Sequence, residues 1–259
     1  MPMPNDALIT EPITSECSYF RSQSTENVVD KKLVAETLLS RNLIRSGDPV
    51  VIDAGTSATI VAEAIFKSDK LRNLSILTHN IEAFQLFYKV HKGGHEVLLT
   101  GGGFDSSYNA LYGKVAENAY EGFNARVVII AISGLTAFKG LERQSGVYCH
   151  AVVETRIKEI LFKLPAERRI VVADYSKIAR VDSHLFGTMA EFKSNVWPGG
   201  DYLITTRPRS TESPAVIEAF SRTIGQLQDW KVQVIPISVP EDAQVPLRNA
   251  PDLAAVAAG

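Results

Sequence analysis

The sequence predicts an α/β protein: a Rossmann-like three-layer α/β/α sandwich with a mainly parallel sheet. Three observations predict it. Short β-branched apolar runs recur along the chain, segments with apolar residues at helical spacing alternate with them, and Gly, Pro, Asn or Asp punctuates the junctions. The strand runs lack a polar face, so they read as covered on both sides, which is what helices on both faces of a parallel sheet provide. With 259 residues, 45% of them hydrophobic, there is enough apolar material for one substantial core.

Residues 1–27 are polar, carry prolines and show no sustained period, so they read as a flexible lead-in. The domain proper is expected at 28–238. Its first helix carries Leu33, Val34, Leu38, Leu39, Leu43 and Ile44, and Ser46-Gly47-Asp48-Pro49 stops it. Strands are expected at Val50–Asp53, Ser75–Thr78, Glu96–Thr100, Val127–Ala131, Ile170–Ala173, Tyr202–Thr205 and Val232–Ile237. Helices are expected at Ala58–Phe66, Ile81–Val90, Lys114–Tyr120, Val152–Leu164 and Val216–Leu227. Residues 239–259, rich in Pro and Ala without a buried period, read as a flexible tail.

Several function classes are disfavoured. A formal net charge of -2 carries no footprint of a nucleic-acid binder, which needs clustered Lys and Arg. The opening MPMPNDALITEP lacks the basic start and apolar core of a signal peptide. The longest apolar run, Val127 to Ile132, is about a third of a membrane span. Cys17 and Cys149 form no CxxC and have no His at ligand spacing. A cytoplasmic protein without metal or cofactor is expected, the cysteines serving as packing residues or as a disulfide.

In an open α/β sheet, ligands bind outside the carboxyl ends of the strands, and here those ends are polar. After the first strand, Asp53-Ala54-Gly55-Thr56-Ser57-Ala58-Thr59 offers a tight turn, hydroxyls and the free N–H groups of a helix start, a cradle for phosphate. A plain helix cap reads equally well there. Asn80 after the second strand fits a cap better than a ligand contact. Gly101 and Gly102 after the third, and Ser133 and Gly134 after the fourth, allow either a close ligand approach or a bare turn. Glu154 and Lys158 lie at i,i+4, either as a surface pair worth about 0.3–0.5 kcal/mol or as a carboxylate and an ammonium aimed into the cleft. Asp174-Tyr175-Ser176-Lys177, closing the fifth strand, puts a carboxylate, a hydroxyl and an ammonium in quick succession, which favours a binding role for Asp174 and Lys177.

Taken in order, these residues resemble the C-terminal effector domain of DeoR-family regulators of bacterial sugar metabolism, from about Val28 to Thr205 and more loosely to Ser238. The likeness rests on Ser46-Gly47-Asp48 leading into Asp53-Ala54-Gly55-Thr56-Ser57, Gly101-Gly102 followed by Gly113, Gly146-Val147-Tyr148, Glu154 with Lys158, and Ala173-Asp174-Tyr175-Ser176-Lys177. It implies a fold shared with ribose-phosphate isomerases and a cleft that senses a small phosphorylated sugar. The phosphate would lie near Thr56, Ser57 and Thr59, with polar contacts at Asp174 and Lys177. The chain departs from the pattern at His79-Asn80, where Asn and then Ser are usual, and at Ser133, where an Asp is usual. Family members also carry a winged helix-turn-helix before this domain. Three helices averaging about 11–12 residues do not fit before Val28, so a sensor without its own DNA reader is expected.

The leading expectation is therefore a sugar-phosphate sensor that forms homo-oligomers and touches neither membrane nor DNA. The alternatives are an aldose/ketose phosphate isomerase, with Glu154 moving a proton and Lys158 or Lys177 steadying the enediolate, and a protein-interaction module with a vestigial cleft.

Overall fold

A computed structural model describes residues 18–88, 92–140, 145–194 and 199–240. The chain opens with α1 (Ser18–Thr25) and α2 (Val28–Ser40), then β1 (Pro49–Ile52), α3 (Thr56–Lys67), β2 (Ser75–Thr78), α4 (Ile81–Tyr88) and β3 (Glu96–Leu99). Next come β4 (Gly103–Asp105), β5 (Ala110–Tyr112), α5 (Lys114–Glu121), β6 (Val127–Ala131), β7 (Gly134–Leu135), β8 (Gly146–Cys149) and α6 (Val152–Lys163). The last are β9 (Arg168–Ala173), β10 (His184–Thr188), α7 (Met189–Ser194), β11 (Gly200–Thr206), α8 (Pro214–Asp229) and β12 (Gln233–Ile237).

The central sheet has seven strands, all parallel, in the order β12-β11-β9-β6-β1-β2-β3. Alternate residues of each strand feed opposite cores. Val50 and Ile52 of β1, Val127 and Ile129 of β6, and Ile170 and Val172 of β9 meet α2, α3 and α4 through Val34, Leu38, Ala62, Ile65 and Phe87. Val51, Val128, Ile130 and Val171 face the other way, toward Tyr120 of α5, Leu161 and Phe162 of α6, and Phe220 and Leu227 of α8. Both faces bury large aliphatic side chains, each worth about 1.5–3 kcal/mol of transfer, which is why the strand runs show no polar alternation.

The observed architecture is the three-layer sandwich read from the sequence, with three differences. The first helix ends at Ser40 rather than running through Ile44, because Asn42 takes a left-handed conformation (φ 53°). Leu43 and Ile44 are buried all the same, supplied by a turn instead of a helical stripe. The end of the segment expected as a flexible lead-in is helical: α1 is held by contacts with distant residues, which no local period could signal. Two small antiparallel units were also unforeseen, the β4-β5 hairpin and the sheet β10-β8-β7. Their strands are two to five residues long, too short for a periodic pattern to register. The expected tail falls, but for 239 and 240, outside the described residues. Among those residues, no helix is long and apolar enough to cross a membrane.

Candidate functional site

Strand order decides where a ligand can enter. From β1 the sheet grows through β2 and β3 on one side and through β6, β9, β11 and β12 on the other, so the chain reverses direction between β1 and β6. Loops leaving neighbouring strands part at such a switch point and leave a crevice at their carboxyl ends. A cavity lies there. It is lined by Ala54, Gly55, Thr56 and Ser57 after β1, Ala131, Ile132 and Ser133 after β6, and Cys149, Glu154, Lys158 and Lys177. Phe20 and Gln23 of α1, Lys31 of α2 and Tyr108 of the β4-β5 loop complete it.

The β1 turn has its shape for a local reason. Gly55 sits at φ 115°, ψ 158°, where a side chain would be strained, and α3 starts immediately after it with no side-chain cap. The first amides of α3 are thus left to a neighbour of another kind, and the positive end of the helix favours an anion. Thr59, read as a third hydroxyl of this cradle, is not among the lining residues. Its Oγ1 donates to Gly55 O at 3.2 Å and accepts from Asn80 Nδ2 at 2.8 Å. Asn80 meanwhile caps α4, its Oδ1 accepting from Ala83 N at 3.0 Å. The cap reading of Asn80 holds, and this pair braces the turn from behind.

Three ammonium groups border the cavity. Lys158 is 3% exposed and reaches under the floor: its Nζ donates to Asp53 Oδ2 at 2.5 Å and to Ala131 O at 2.8 Å, and lies 3.9 Å from Glu154 Oε1. Asp53 is fully buried below the lining, where its Oδ2 also accepts from Ala131 N at 3.0 Å. Burial pulls the Lys158 ammonium toward neutrality, but the carboxylates of Asp53 and Glu154 outweigh it and hold the group above its ordinary range. Burial pushes the Glu154 carboxyl up, against the opposing pull of Lys158. The i,i+4 pair on α6 is therefore a buried pair at the cleft, and the surface reading falls away.

Lys31, which the sequence reading passed over, is 2% exposed on α2, and its Nζ donates to Thr56 Oγ1 at 3.0 Å. Desolvation brings its pKa down from 10.5 to about 8, with Asp174 opposing the shift and Lys177 adding to it. A lone Lys inside an amphipathic helix carries no signal of its own. A hint lay in the polar pair Asp30-Lys31 standing within an otherwise apolar stripe. Lys177 is 7% exposed and borders the same cavity. Thr56, Ser57 and Lys177, far apart in sequence, thus share one hollow.

The remaining expected residues divide. Ser133 lines the cavity, its Oγ donating to Tyr148 O at 3.1 Å. Gly134 does not, because it lies in β7, and an added Cβ would come within 2.6 Å of Arg180 O. Asp174 is also not a lining residue: its Oδ1 accepts from Ser176 N at 3.0 Å and from Asn27 Nδ2 at 2.9 Å, tying the α1-α2 junction to the end of β9. Gly101 and Gly102 lie outside the lining too. Gly102, at φ 118°, backs onto β5, where a Cβ would stand 2.5 Å from Tyr112 O. Gly102→Ala is accordingly expected to cost about 1–3 kcal/mol, read from the denaturant midpoint, with anion affinity unchanged. His79, one of the departures from the family pattern, is a buried core group. Burial and then the charge of Lys158 bring its pKa to about 3, so the ring is neutral, and its Nδ1 lies 2.6 Å from the Tyr120 hydroxyl. Cys149 is a buried free thiol that burial pushes up to about 11, which leaves it protonated.

Fold and site together define an α/β domain with a lysine-lined crevice at its switch point. The chain belongs to the DeoR C terminal sensor domain family, which residues 26–196 match. A protein of Escherichia coli O157:H7, named for repression of the aga operon, is 27% identical over 162 residues, covering 62% of this chain and 55% of that protein. The transcriptional repressor AccR of Agrobacterium fabrum (strain C58) is 27% identical over 139 residues, covering 53% of this chain and 49% of the repressor. The chain thus spans about half the length of the curated relatives it matches. Among solved structures, ribose 5-phosphate isomerase from Plasmodium falciparum is 15% identical with a TM-score of 0.38, covering 57% of this chain and 52% of that one. A transcriptional regulator from Streptococcus pneumoniae TIGR4 is 9% identical with a TM-score of 0.36, covering 80% and 81%.

Proposed function

We propose that this chain is the sugar-phosphate-sensing part of a DeoR-type transcriptional regulator, binding a small phosphorylated sugar at the switch-point cavity. One observation carries the reading: the uncapped start of α3 and the ammonium groups of Lys31, Lys158 and Lys177 surround a single hollow. Helix-start amides and lysines together are what a phosphate dianion requires, because they supply donors and compensating charge at once. Glu154 and Ser133 line the same cavity and provide an acceptor and a hydroxyl for the polyol end of such a ligand. The formal net charge of -2 is in keeping with a reading in which this chain alone does not hold a duplex.

Thermal unfolding against a panel of phosphorylated sugars tests the reading. A true ligand at a hundred times its dissociation constant adds about 2.7 kcal/mol. Lys177→Ala is expected to weaken that binding by about 1.5 kcal/mol with the fold intact, as for a charge-assisted hydrogen bond. An unchanged affinity would remove Lys177 from the site.

A second reading, an aldose/ketose phosphate isomerase, draws on one specific feature: Glu154 is a cavity carboxyl whose burial raises its proton affinity, as suits a general base. Turnover of a stabilising ligand, abolished in Glu154→Gln, would support it. Stabilisation without turnover leaves the sensor.

A further inference from the structure

The eight residues of α1, SYFRSQST, are too few to persist as a helix without outside contacts. Those contacts converge on the cavity. Phe20 is buried in its wall, and Phe20 N donates to Ser107 O at 3.3 Å. Gln23 uses both of its oxygens: its carbonyl accepts from Lys31 Nζ at 2.5 Å, and its side-chain Oε1 accepts from Lys177 Nζ at 3.1 Å. Two of the three cavity ammonium groups are therefore held by one residue of α1.

These bonds are made to be exchanged. An amide oxygen and a carbonyl oxygen are neutral dipoles, so they satisfy donors without adding negative charge beside two neighbouring ammonium groups. Burial depresses Lys31, and the charge of Lys177 adds to that shift against the opposing pull of Asp174. A phosphate dianion satisfies the same donors and compensates the charge, through bonds about twice as strong. Space points the same way. With Phe20 and Gln23 in its wall, the cavity is about 60 Å³, small beside the roughly 300 Å³ or more of an ordinary small-molecule site.

The anchoring of the two helices differs sharply. α2 is fixed: Asp30 accepts from Thr206 Oγ1 at 2.7 Å and from Arg209 Nη2 at 2.8 Å, and Val34 and Leu38 are buried in the core. Between α1 and α2 stands Asn27 in the left-handed conformation, φ 49° and ψ 38°, pinned to Asp174. The break in the helix is thus placed where α1 can swing while α2 stays.

We infer that α1 is an internal strap over the sensor cavity, with Gln23 standing in for the ligand's oxygens at Lys31 and Lys177, so that an anion bound there displaces Gln23 and frees α1. The inference rests on the anion-binding reading above and adds the moving part through which occupancy reaches whatever precedes Ser18.

The test uses the full chain and inorganic phosphate at matched ionic strength, with affinity from calorimetry and amide exchange followed at residues 20–25. Gln23→Ala removes one competing acceptor and is expected to tighten phosphate binding about fivefold, the share of a single hydrogen bond. Gln23→Glu installs a charged competitor and is expected to weaken it about tenfold. In the unmodified chain, saturating phosphate is expected to speed α1 exchange about tenfold or more, as for a segment released to local opening. Phosphate binding that persists while Gln23→Ala is neutral or weaker, or while α1 exchange is unchanged or slower, overturns the strap and leaves the sensor reading intact. No phosphate or sugar-phosphate binding by any of these proteins overturns both.

Discussion

Lys158→Met is expected to lower stability by about 3–5 kcal/mol, the cost of leaving a buried charge without its partner. The partner is Asp53, fully buried, with Ala131 N and Lys158 Nζ both donating to its Oδ2. Its Oδ1 has no hydrogen-bond partner among the described residues, and the neutral ring of His79 approaches it only to 3.6 Å. Removing Lys158 therefore strips away the ammonium that pairs with Asp53 and leaves the carboxylate to the backbone N–H groups of Ala131 and Ala54. Glu154, 3.9 Å from the same ammonium, loses its compensation as well. The measurement is the urea midpoint at unchanged m-value. Adding Asp53→Leu to Lys158→Met is expected to recover most of the loss, since an apolar replacement of a whole buried pair is close to neutral. A single-variant loss below about 1 kcal/mol would show that this pair contributes no more than an exposed one.

Lys31→Ala is expected to weaken sugar-phosphate binding about thirtyfold near pH 7, roughly 2 kcal/mol for a buried charge-assisted bond, and to remove an alkaline limb from the affinity profile. The limb follows from the depressed pKa. Without bound anion, Lys31 gives up its proton near pH 8, and a phosphate dianion prefers the ammonium form. Affinity in the unmodified chain should then fall as pH rises through about 8, where phosphate is already a dianion and contributes no trend of its own. Asp174, Lys177, Glu26 and Asp30 set the field at this group, and any of them shifts the limb when altered. Stability runs in the opposite sense. Because the folded pKa lies below the unfolded one, the unfolded chain binds more protons between about 8 and 10.5, and Lys31 makes the fold gain stability with pH across that window. A flat affinity profile from pH 7 to 9.5 would take Lys31 out of the binding site.

The residues of this site differ in how openly they announce themselves. Gly55, Thr56 and Ser57 are legible because a strand end, a glycine and hydroxyls at a helix start are neighbours in sequence, and their joint role follows from one local turn. Glu154 and Lys158 are legible as a pair through helical spacing, but nothing local says whether they face water or the cleft. Lys31 and Gln23 are silent, because their partners lie 25 and 154 residues away and their own surroundings look like ordinary helix. Asp174 reads as a ligand contact by composition. It proves instead to clamp Asn27, since a motif lists its groups without stating which neighbour takes them.

What the sequence determined alone is the α/β sandwich and the turn after β1, because strand runs without a polar face and a Gly-Thr-Ser helix start are local signals that any packing must respect. What only the tertiary structure decided is which polar groups meet. The reversal of strand order between β1 and β6 opens the crevice, and the folding of α1 and α2 across it brings Gln23, Lys31 and Lys177 to one place. Electrostatic and hydrogen-bonding partners depend on distances in space, and those are set by the sheet topology rather than by spacing along the chain.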